Sequence, residues 1–377
     1  MTENTQYLIC LSTRFRFLTG ANVIGLGSQT AQNGAVLSLH RDGCWWRLRT
    51  PGSPTRLHHL PGRPERRDNM MTVEPILVTG AAGGIQGSTG FHVTRLLLDK
   101  GWSVRAFVHR LDDRSDRLRA LGAEVVDGDL RDFRSVAAAM GGIHRAYFAY
   151  PVQEGLLEAA ATFAASARSA GVEQVVNLSQ WLQPGGEQPT PHQARHWLAE
   201  QIFDWADVGA VHLDATVFYE NLRTWALLSL ARAGEIALPW GPEATAIPMV
   251  GAEDVARVAA EVLTGPALPN ATVVRLMAGA VTNKEIAEAF SDILGRPVQY
   301  VEVNDDQWAS AASALGVNAV ALEHLTHLWR YLRTRPPEIQ GFYHITDAFE
   351  HFTSQPPQSL LQFLRERKDL FAQAAPR

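Results

Sequence analysis

A glycine-rich segment separates a short apolar run from an amphipathic stretch in this 377-residue chain. The apolar run Ile76–Thr79 predicts a buried strand, and Phe91–Lys100 carries apolar residues at helical spacing. Glycine permits tight turns with positive φ, and the N-terminus of the following helix attracts phosphate groups. A loop of this kind between a strand and a helix predicts dinucleotide binding.

Two registers of the glycine loop fit the sequence. In the first, Gly80 and Gly83 form the turn directly after the strand and Gly87 is the third glycine. In the second, the spacing starts at Gly84 and runs through Gly87 to Gly90. We place the cofactor phosphates against this loop, with the predicted contacts Gly80, Gly83, Ile85, Gln86 and Gly87.

Strands and helices alternate through the rest of the chain. Short apolar strands separated by helices indicate βαβ units, and hence a parallel sheet covered on both faces. With right-handed crossovers the predicted fold class is α/β, a doubly wound parallel sheet of the Rossmann type. We assign residues 71–264 to an NAD(P)-binding domain and residues 265–377 to a smaller, mostly helical C-terminal substrate-binding region. After Ile76–Thr79 the predicted strands are Ser103–Val108, Glu124–Val126, Arg145–Ala149, Gln174–Leu178, Val211–Phe218 and Val273–Met277.

The first 70 residues differ from the rest in composition. They hold nine arginines against four acidic residues, and Arg, Pro and Gly crowd residues 47–67. Such a segment buries too little apolar surface to fold alone, so we expect a disordered extension or a mis-assigned start near Met70. An arginine-rich transit peptide is a less favoured interpretation.

Composition excludes several classes of function. The net charge of −5 argues against nucleic acid as the main partner. No apolar run approaches the roughly 18 residues that a membrane span needs, and no secretory signal precedes the domain, so we expect a soluble, cytoplasmic protein. Both cysteines, Cys10 and Cys44, precede residue 71, which excludes thiol chemistry from the body of the chain.

The end of the second strand predicts the cofactor type. An acidic residue there would bind the ribose 2′-hydroxyl of NAD, whereas an arginine accommodates the 2′-phosphate of NADP. Here the strand ends in His109 and Arg110, with Arg114 as a second candidate contact. NADP(H) is therefore favoured over NAD(H), although a merely solvated strand end would also carry an arginine.

A series of short motifs identifies a family resemblance. The chain contains, in this order, VTGAAGGIQG, VRAFVHR, GAEVVDGDLRD, FAYPV, VVNLSQ and VFYENL. This order resembles the NmrA-like branch of the atypical short-chain dehydrogenase/reductases from about residue 75 to the C-terminus. The resemblance implies a Rossmann fold that binds NADP(H). It implies either a quinone or carbonyl reductase or a regulator that binds the cofactor without turnover.

The resemblance also implies roles for individual residues. Asp129 corresponds to the acid that contacts the adenine, with Leu130 beside it, and Ser179 to a serine that hydrogen-bonds the substrate carbonyl. Trp181 is a candidate wall for a flat aromatic substrate, although core packing would also explain it. Residues implied to flank the ribose and nicotinamide are Ala149, Tyr150 and Pro151, and those in the loop that covers the nicotinamide are Phe218, Tyr219 and Asn221. Within that loop Phe218 is a predicted cofactor contact, and Tyr219 and Asn221 join Trp181 as predicted substrate contacts.

One departure from the family pattern affects the chemistry. Related enzymes often carry Tyr-x-x-x-Lys on one helix, where the tyrosine supplies a proton. Here His192 stands at the tyrosine position and His196 at the lysine position. We predict Ser179, His192 and His196 as catalytic residues. Two alternatives remain: ordinary polar helix residues, or metal ligands, because His192, His196 and Glu200 share one helix face.

The leading hypothesis is an NADP(H)-dependent oxidoreductase that transfers hydride to a quinone-like or conjugated carbonyl substrate. The alternative is a non-catalytic NADP(H)-sensing regulator that acts through protein contacts, and a non-redox isomerase or cyclase is a third interpretation. The expected partner is a small-molecule substrate, without nucleic acid or membrane, and a homodimer is possible. No metal is assigned.

Overall fold

The computed structural model describes residues 74–84, 87–183, 188–222, 225, 229–230, 234–335 and 345–374. These residues belong to one compact unit that starts at Met71. The predicted extension over residues 1–70 lies outside the described residues, as do the predicted cofactor contacts Ile85 and Gln86.

A seven-stranded, fully parallel sheet forms the centre of the fold, in the order β10–β6–β5–β4–β1–β2–β3. The direction of strand succession reverses between β1 and β4, which makes this the doubly wound topology predicted from the sequence. The strands are β1 (Ile76–Thr79), β2 (Val104–Val108), β3 (Glu124–Asp127), β4 (Arg145–Phe148), β5 (Gln174–Gln180), β6 (Ala210–Ala215) and β10 (Thr272–Leu276).

Helices cover both faces of this sheet. On one face α1 packs against α6, and on the other α4 packs against α5, where Phe148, Phe163 and Phe203 form an aromatic cluster. Among the described residues the helices are α1 (Thr89–Asp99), α2 (Asp113–Ala120), α3 (Phe133–Ala139), α4 (Leu156–Ala170), α5 (Pro191–Ala206), α6 (Ala252–Thr264), α7 (Asn283–Leu294), α8 (Asp305–Ala314), α9 (Ala319–Thr334), α10 (Ala348–Thr353), α11 (Leu360–Glu366) and α12 (Lys368–Ala374).

Two helix starts near the sheet edge are fixed by side-chain caps. Asp112 caps α2 and accepts from the Arg114 N–H, with Ser115 completing a capping box. Thr190 caps α5 through a hydrogen bond from the Gln193 N–H, and Pro191 takes the first helical position, where its missing N–H costs nothing. These caps fix where α2 and α5 begin beside the carboxyl ends of the strands.

The C-terminal part is mostly helical, as predicted, but it also contributes strands. Two small sheets, β11–β9–β7 and β12–β8, were not predicted from the sequence, and β10 of the main sheet lies beyond the predicted boundary at residue 264. Their strands are β7 (Val217–Phe218), β8 (Glu235–Leu238), β9 (Ala246–Val250), β11 (Gly279–Thr282) and β12 (Gln299–Glu302). Within the described parts of the chain, no helix is long and apolar enough to cross a membrane.

Candidate active site

A cavity of about 890 Å³ lies at the carboxyl edge of the main sheet. Loops that follow successive strands line it, including Gly80 after β1, Arg110 after β2, Ala149 after β4 and Thr216 after β6. Parallel sheets of this topology bind ligands at this edge, near the point where the strand order reverses. This volume lies near the upper end of the range that is typical of ligand pockets, about 300–1,000 Å³.

The glycine loop forms the floor of one end of the cavity. Gly80 and Gly83 both have positive φ, +65° and +73°, and the Gly83 N–H donates to the Gly80 carbonyl at 3.0 Å. Gly90 lies in the first turn of α1, where a Cβ would come within 2.5 Å of the Thr79 carbonyl oxygen. The turn therefore follows β1 directly, and a glycine at position 90 lets α1 approach the strand.

The two predicted registers each contribute part of this loop. Gly80, Gly83 and Gly90 line the cavity, whereas Gly87 faces Phe218 and Ala252 and is absent from the lining. Ser88 also lines the cavity at the start of α1, where backbone N–H groups have no acceptor within the helix. This cradle fits a pyrophosphate.

The end of β2 presents cations to the same cavity. His109, Arg110 and Arg114 line it. The Arg114 guanidinium is held by the Asp112 carboxylate, with Nη2–Oδ2 at 2.6 Å. Arg110, in contrast, is exposed and forms no ion pair with any described residue. Arg110 is thus the cation best placed to meet a phosphate from solvent.

Asp129 and Leu130 line the cavity after β3. The Arg131 guanidinium contacts the Asp129 carboxylate at 2.7 Å and lowers the pKa of that carboxyl to about 2. Asp129 is therefore an ionised acceptor at neutral pH, which suits the adenine contact that the family resemblance implies.

The residues after β4 are fixed to β1. Thr79 Oγ1 donates to the Ala149 carbonyl at 3.1 Å and accepts from the Ala149 N–H at 2.8 Å. Ala149, Tyr150 and Pro151 all line the cavity, as do Phe218 and Asn221 on its other side. These five residues, which the family resemblance implies lie around the ribose and nicotinamide, thus meet at one cavity.

Ser179 reaches the cavity from β5 and is tied to a buried acid. Its hydroxyl donates to Glu200 Oε1 of α5 at 2.5 Å. Asp214 is the register partner of Ser179 on β6, so its carboxyl group lies on the same side of the sheet as the Ser179–Glu200 hydrogen bond. Burial raises the pKa of both carboxyl groups, that of Asp214 to about 8. Asp214 is not among the residues predicted from the sequence, although an aspartate within the apolar strand Ala210–Ala215 is a visible signal.

The two predicted catalytic histidines occupy different environments. His196 lines the cavity, whereas His192 is only 1% exposed and is not part of the lining. The ring of His192 lies between those of His196 and His324, with centroids at 4.9 and 5.2 Å. His324 of α9 was not predicted, and its Nδ1 is 2.8 Å from Thr190 Oγ1. Neither ring nitrogen of His192 has a hydrogen-bond partner among the described residues.

These three imidazoles are held neutral. Burial lowers the pKa of His192 to about 4 and that of His324 to about 3, and it also lowers the pKa of His196 well below its ordinary value. In the described part of the chain, no group of three or more His, Cys, Asp and Glu residues is arranged to hold a metal ion. The alternative of a metal site on α5 therefore lacks a ligand set there.

Aromatic residues form the far side of the cavity. Trp181 lines it, with the Arg275 guanidinium 5.3 Å from the ring centroid. Trp225 and Tyr331 also line it and were not predicted. Tyr219, a predicted substrate contact, is buried against Phe363 and does not line the cavity. This side of the cavity suits a flat conjugated molecule better than a small polar one.

Comparisons with known proteins agree with this geometry. The sequence profile of the NmrA-like family matches residues 72–332. The NAD(P)H azoreductase of Xenophilus azovorans is 27% identical over 301 residues, which are 79% of this chain and 100% of that protein.

Two solved reductases share the fold. Citrobacter sp. triphenylmethane reductase, complexed with NADP(H), has a TM-score of 0.65 at 20% identity, covering 77% of this chain and 99% of its own. The NADPH-dependent quinone oxidoreductase of Escherichia coli, complexed with NADPH, has a TM-score of 0.63 at 18% identity, covering 78% of this chain and 98% of its own.

Proposed function

The chain belongs to the NmrA-like family, and from that premise we propose that it is an NADP(H)-dependent oxidoreductase. Its substrate is a flat, conjugated acceptor: a quinone-like or conjugated carbonyl compound. Azo compounds join this class because the azoreductase relative matches along its whole length. All of these acceptors take two electrons into a delocalised π-system.

One observation carries the proposal: a single cavity connects the phosphate cradle of the glycine loop to an aromatic wall. The cradle consists of Gly80, Gly83 and Ser88, and the wall of Trp181, Trp225 and Tyr331. Gly80 and Gly83 lie at one part of its lining, Arg110 at another, and Ser179 and Trp181 at a third. A cofactor and an acceptor bound there would lie in contact, which direct transfer between them requires. A protein that only senses the cofactor has no need of the aromatic wall.

Bound NADPH would supply the hydride. The chain's own residues hold and orient both molecules. The glycine turn and the first turn of α1 bind the pyrophosphate, and Arg110 pairs with the 2′-phosphate. Ser179 offers its hydroxyl to the acceptor atom that gains charge, and Trp181 stacks on the acceptor. A quinone needs less from a general acid than a simple ketone, which agrees with the absence of the Tyr-x-x-x-Lys dyad.

The histidines take unequal parts in this proposal. His196 lines the cavity and contacts the ligand, whereas His192 acts through the ring of His196. Both imidazoles are neutral near pH 7, so each acts as a dipole or an N–H donor, not as an imidazolium acid. We expect His192→Ala to lower turnover while leaving NADPH affinity intact. Unchanged turnover would remove His192 from the mechanism.

The test is a two-stage experiment in one cuvette with the full chain. NADPH and NADH are titrated first, and their binding is monitored by nicotinamide fluorescence. Quinones, azo dyes and conjugated carbonyl compounds are then added in turn. Tight NADPH binding with many turnovers on at least one acceptor supports the proposal. Tight binding with no NADPH consumed on any acceptor overturns it in favour of the regulator.

A further inference from the structure

Two carboxyl groups are buried together behind the wall of the cavity. Glu200 on α5 is 6% exposed and Asp214 on β6 is 3% exposed. Ser179 lies next to both, because its hydroxyl donates to Glu200 and its register partner on β6 is Asp214, and Glu200 raises the pKa of Asp214. Two carboxylates in contact repel strongly when buried, and neither can donate a hydrogen bond. Asp214 Oδ1 has no hydrogen-bond partner among the described residues, and a proton held by one of the two carboxyl groups would both remove the repulsion and supply the missing donor.

The charged groups around the pair do not replace that proton. Arg275 on β10 is the register partner of Asp214, and both Arg275 and the backbone of Leu182 favour the ionised form of Asp214. His212 favours ionisation of Glu200, whereas Asp204 opposes it. Nδ1 and Nε2 of His212 already contact Asn177 and Asp204, each at 3.0 Å. Burial outweighs the attractions, since the pKa of both carboxyl groups is raised.

A hydroxyl group connects this pair to the cavity. Ser179 Oγ lies 2.5 Å from Glu200 Oε1. Ser179 also lines the cavity, close in sequence to Trp181 of the aromatic wall. A serine hydroxyl is both donor and acceptor. When the Ser179 hydroxyl hydrogen turns from Glu200 to a bound acceptor, its oxygen can accept the proton of Glu200 while its own hydrogen is given to the acceptor. The three imidazoles nearby are neutral and hold no proton of comparable acidity.

We propose that Glu200 and Asp214 store one shared proton and deliver it through the Ser179 hydroxyl to the acceptor during reduction. This inference rests on the proposed reductase function. The hydride and its two electrons come from NADPH, which is oxidised to NADP⁺. The acceptor oxygen or nitrogen takes the Ser179 hydroxyl proton, Ser179 takes the shared proton, and the carboxyl pair recovers one from water. Glu200 and Asp214 are thus positioning residues, and Ser179 is the catalytic residue.

The first test reads the proton itself, without turnover. Infrared spectra of the full chain at pH 7 are recorded for the wild type, the double variant Glu200→Gln with Asp214→Asn, and the control Asp254→Asn. Asp254 is equally buried but is held by Arg257, outside the cavity. We expect a protonated-carboxyl band that the double variant lacks and the control retains. If the spectrum of the double variant has lost no such band relative to the wild type, the pair holds no shared proton.

The same band keeps the test decisive if the double variant fails to fold. In the wild type the part of the band that belongs to the pair should disappear as the pH rises through about 8, because burial and Glu200 raise the pKa of Asp214 to that range. Burial raises the pKa of Glu220 to about 7, so the contribution of that carboxyl group is lost at lower pH. A band that is absent at pH 6 as well as at pH 9 contradicts the proposal.

The second test follows the relay. Ser179→Ala should lower kcat on the order of 10²-fold, and Ser179→Thr, which keeps a hydroxyl, should restore most of it. Wild-type kcat should fall above about pH 8, and Asp214→Asn should remove that fall, whereas Asp254→Asn should keep it. An unchanged pH profile in Asp214→Asn refutes the relay. If the wild type consumes no NADPH on any acceptor, the proposed function fails, and the infrared result still decides whether the pair holds a proton.

Discussion

Gly90 in α1 lies so close to Thr79 in β1 that a Cβ at position 90 would come within 2.5 Å of the Thr79 carbonyl oxygen. The same Cβ would meet the Gly80 carbonyl at 2.6 Å. These atoms belong to the backbone at the phosphate end of the cavity, so they cannot move aside as a flexible side chain could. The approach of α1 to β1 therefore depends on the absence of a side chain at residue 90.

We predict that Gly90→Ala destabilises the protein by about 1–3 kcal/mol and weakens NADPH binding, because the helix start must move away from the strand. Gly141→Ala is the matched control: a Cβ there would meet only the Ala138 carbonyl oxygen, at 3.7 Å. Urea unfolding and NADPH titration of both variants check this prediction. Equal stability of the two variants would contradict the close approach.

Arg110 should set the preference for NADPH over NADH. Charge-assisted hydrogen bonds contribute about 1.5–3 kcal/mol, so Arg110→Ala should weaken NADPH binding about tenfold to a hundredfold and leave NADH binding nearly unchanged. Arg117→Ala, an exposed change on α2 outside the cavity lining, is the control. An Arg110→Ala protein that keeps its preference would refute the assignment. Arg114→Ala should have a smaller effect, because Asp112 already holds that guanidinium.

His192→Leu should make stability less sensitive to acid. The pKa of His192 is lowered by burial to about 4, whereas the unfolded chain binds the proton near pH 6.5. Stability is therefore lost as the pH falls from about 6.5 towards 4, by about 2 kcal/mol at pH 5. The free energy of unfolding of His192→Leu minus that of the wild type should therefore be larger at pH 5 than at pH 8. The measurement is thermal unfolding at both pH values, with the exposed His351→Leu as the control. If both variants show the same change in melting temperature between pH 8 and pH 5, the prediction is contradicted.

Trp181 should govern the affinity for flat acceptors. Aromatic stacking contributes about 0.5–1.5 kcal/mol beyond area burial, so Trp181→Leu should raise KM for the acceptor about twofold to tenfold and leave NADPH affinity unchanged. Trp205, which is 75% exposed and outside the lining, provides the control Trp205→Leu. Steady-state kinetics with NADPH held constant separates the two. If Trp181→Leu leaves KM unchanged, Trp181 is only a packing residue.

The positions of the first five strands along the chain could be predicted because each is a short apolar run that ends in turn residues. Val211–Phe218 was predicted as one strand, but the chain leaves the main sheet at Thr216, whose N–H donates to the Leu276 carbonyl. Val217 and Phe218 then pair with β9. That switch depends on a strand more than 30 residues away, so no local pattern indicates it.

The candidate site also contains some residues whose placement could be predicted from the sequence and others whose placement could not. The glycine loop and Arg110 have fixed offsets from a strand, so their placement could be predicted. The burial of His192 could not, because His324, more than 130 residues later, covers it. From the sequence, Glu200 is a candidate only for metal binding, because its position near Asp214 depends on how α5 packs against β6.

Deuterium transfer tests the central claim most directly. The full chain is incubated with NADPH that carries deuterium at the transferable C4 position and with a conjugated carbonyl acceptor, and the product is analysed by mass spectrometry. Direct reduction in the cavity predicts one deuterium on carbon in each product molecule, with one product formed for each NADPH consumed. If NADPH binds tightly but is not consumed with any quinone, azo or conjugated carbonyl acceptor, or if a conjugated carbonyl product carries no deuterium on carbon, the result would contradict direct hydride transfer in the cavity.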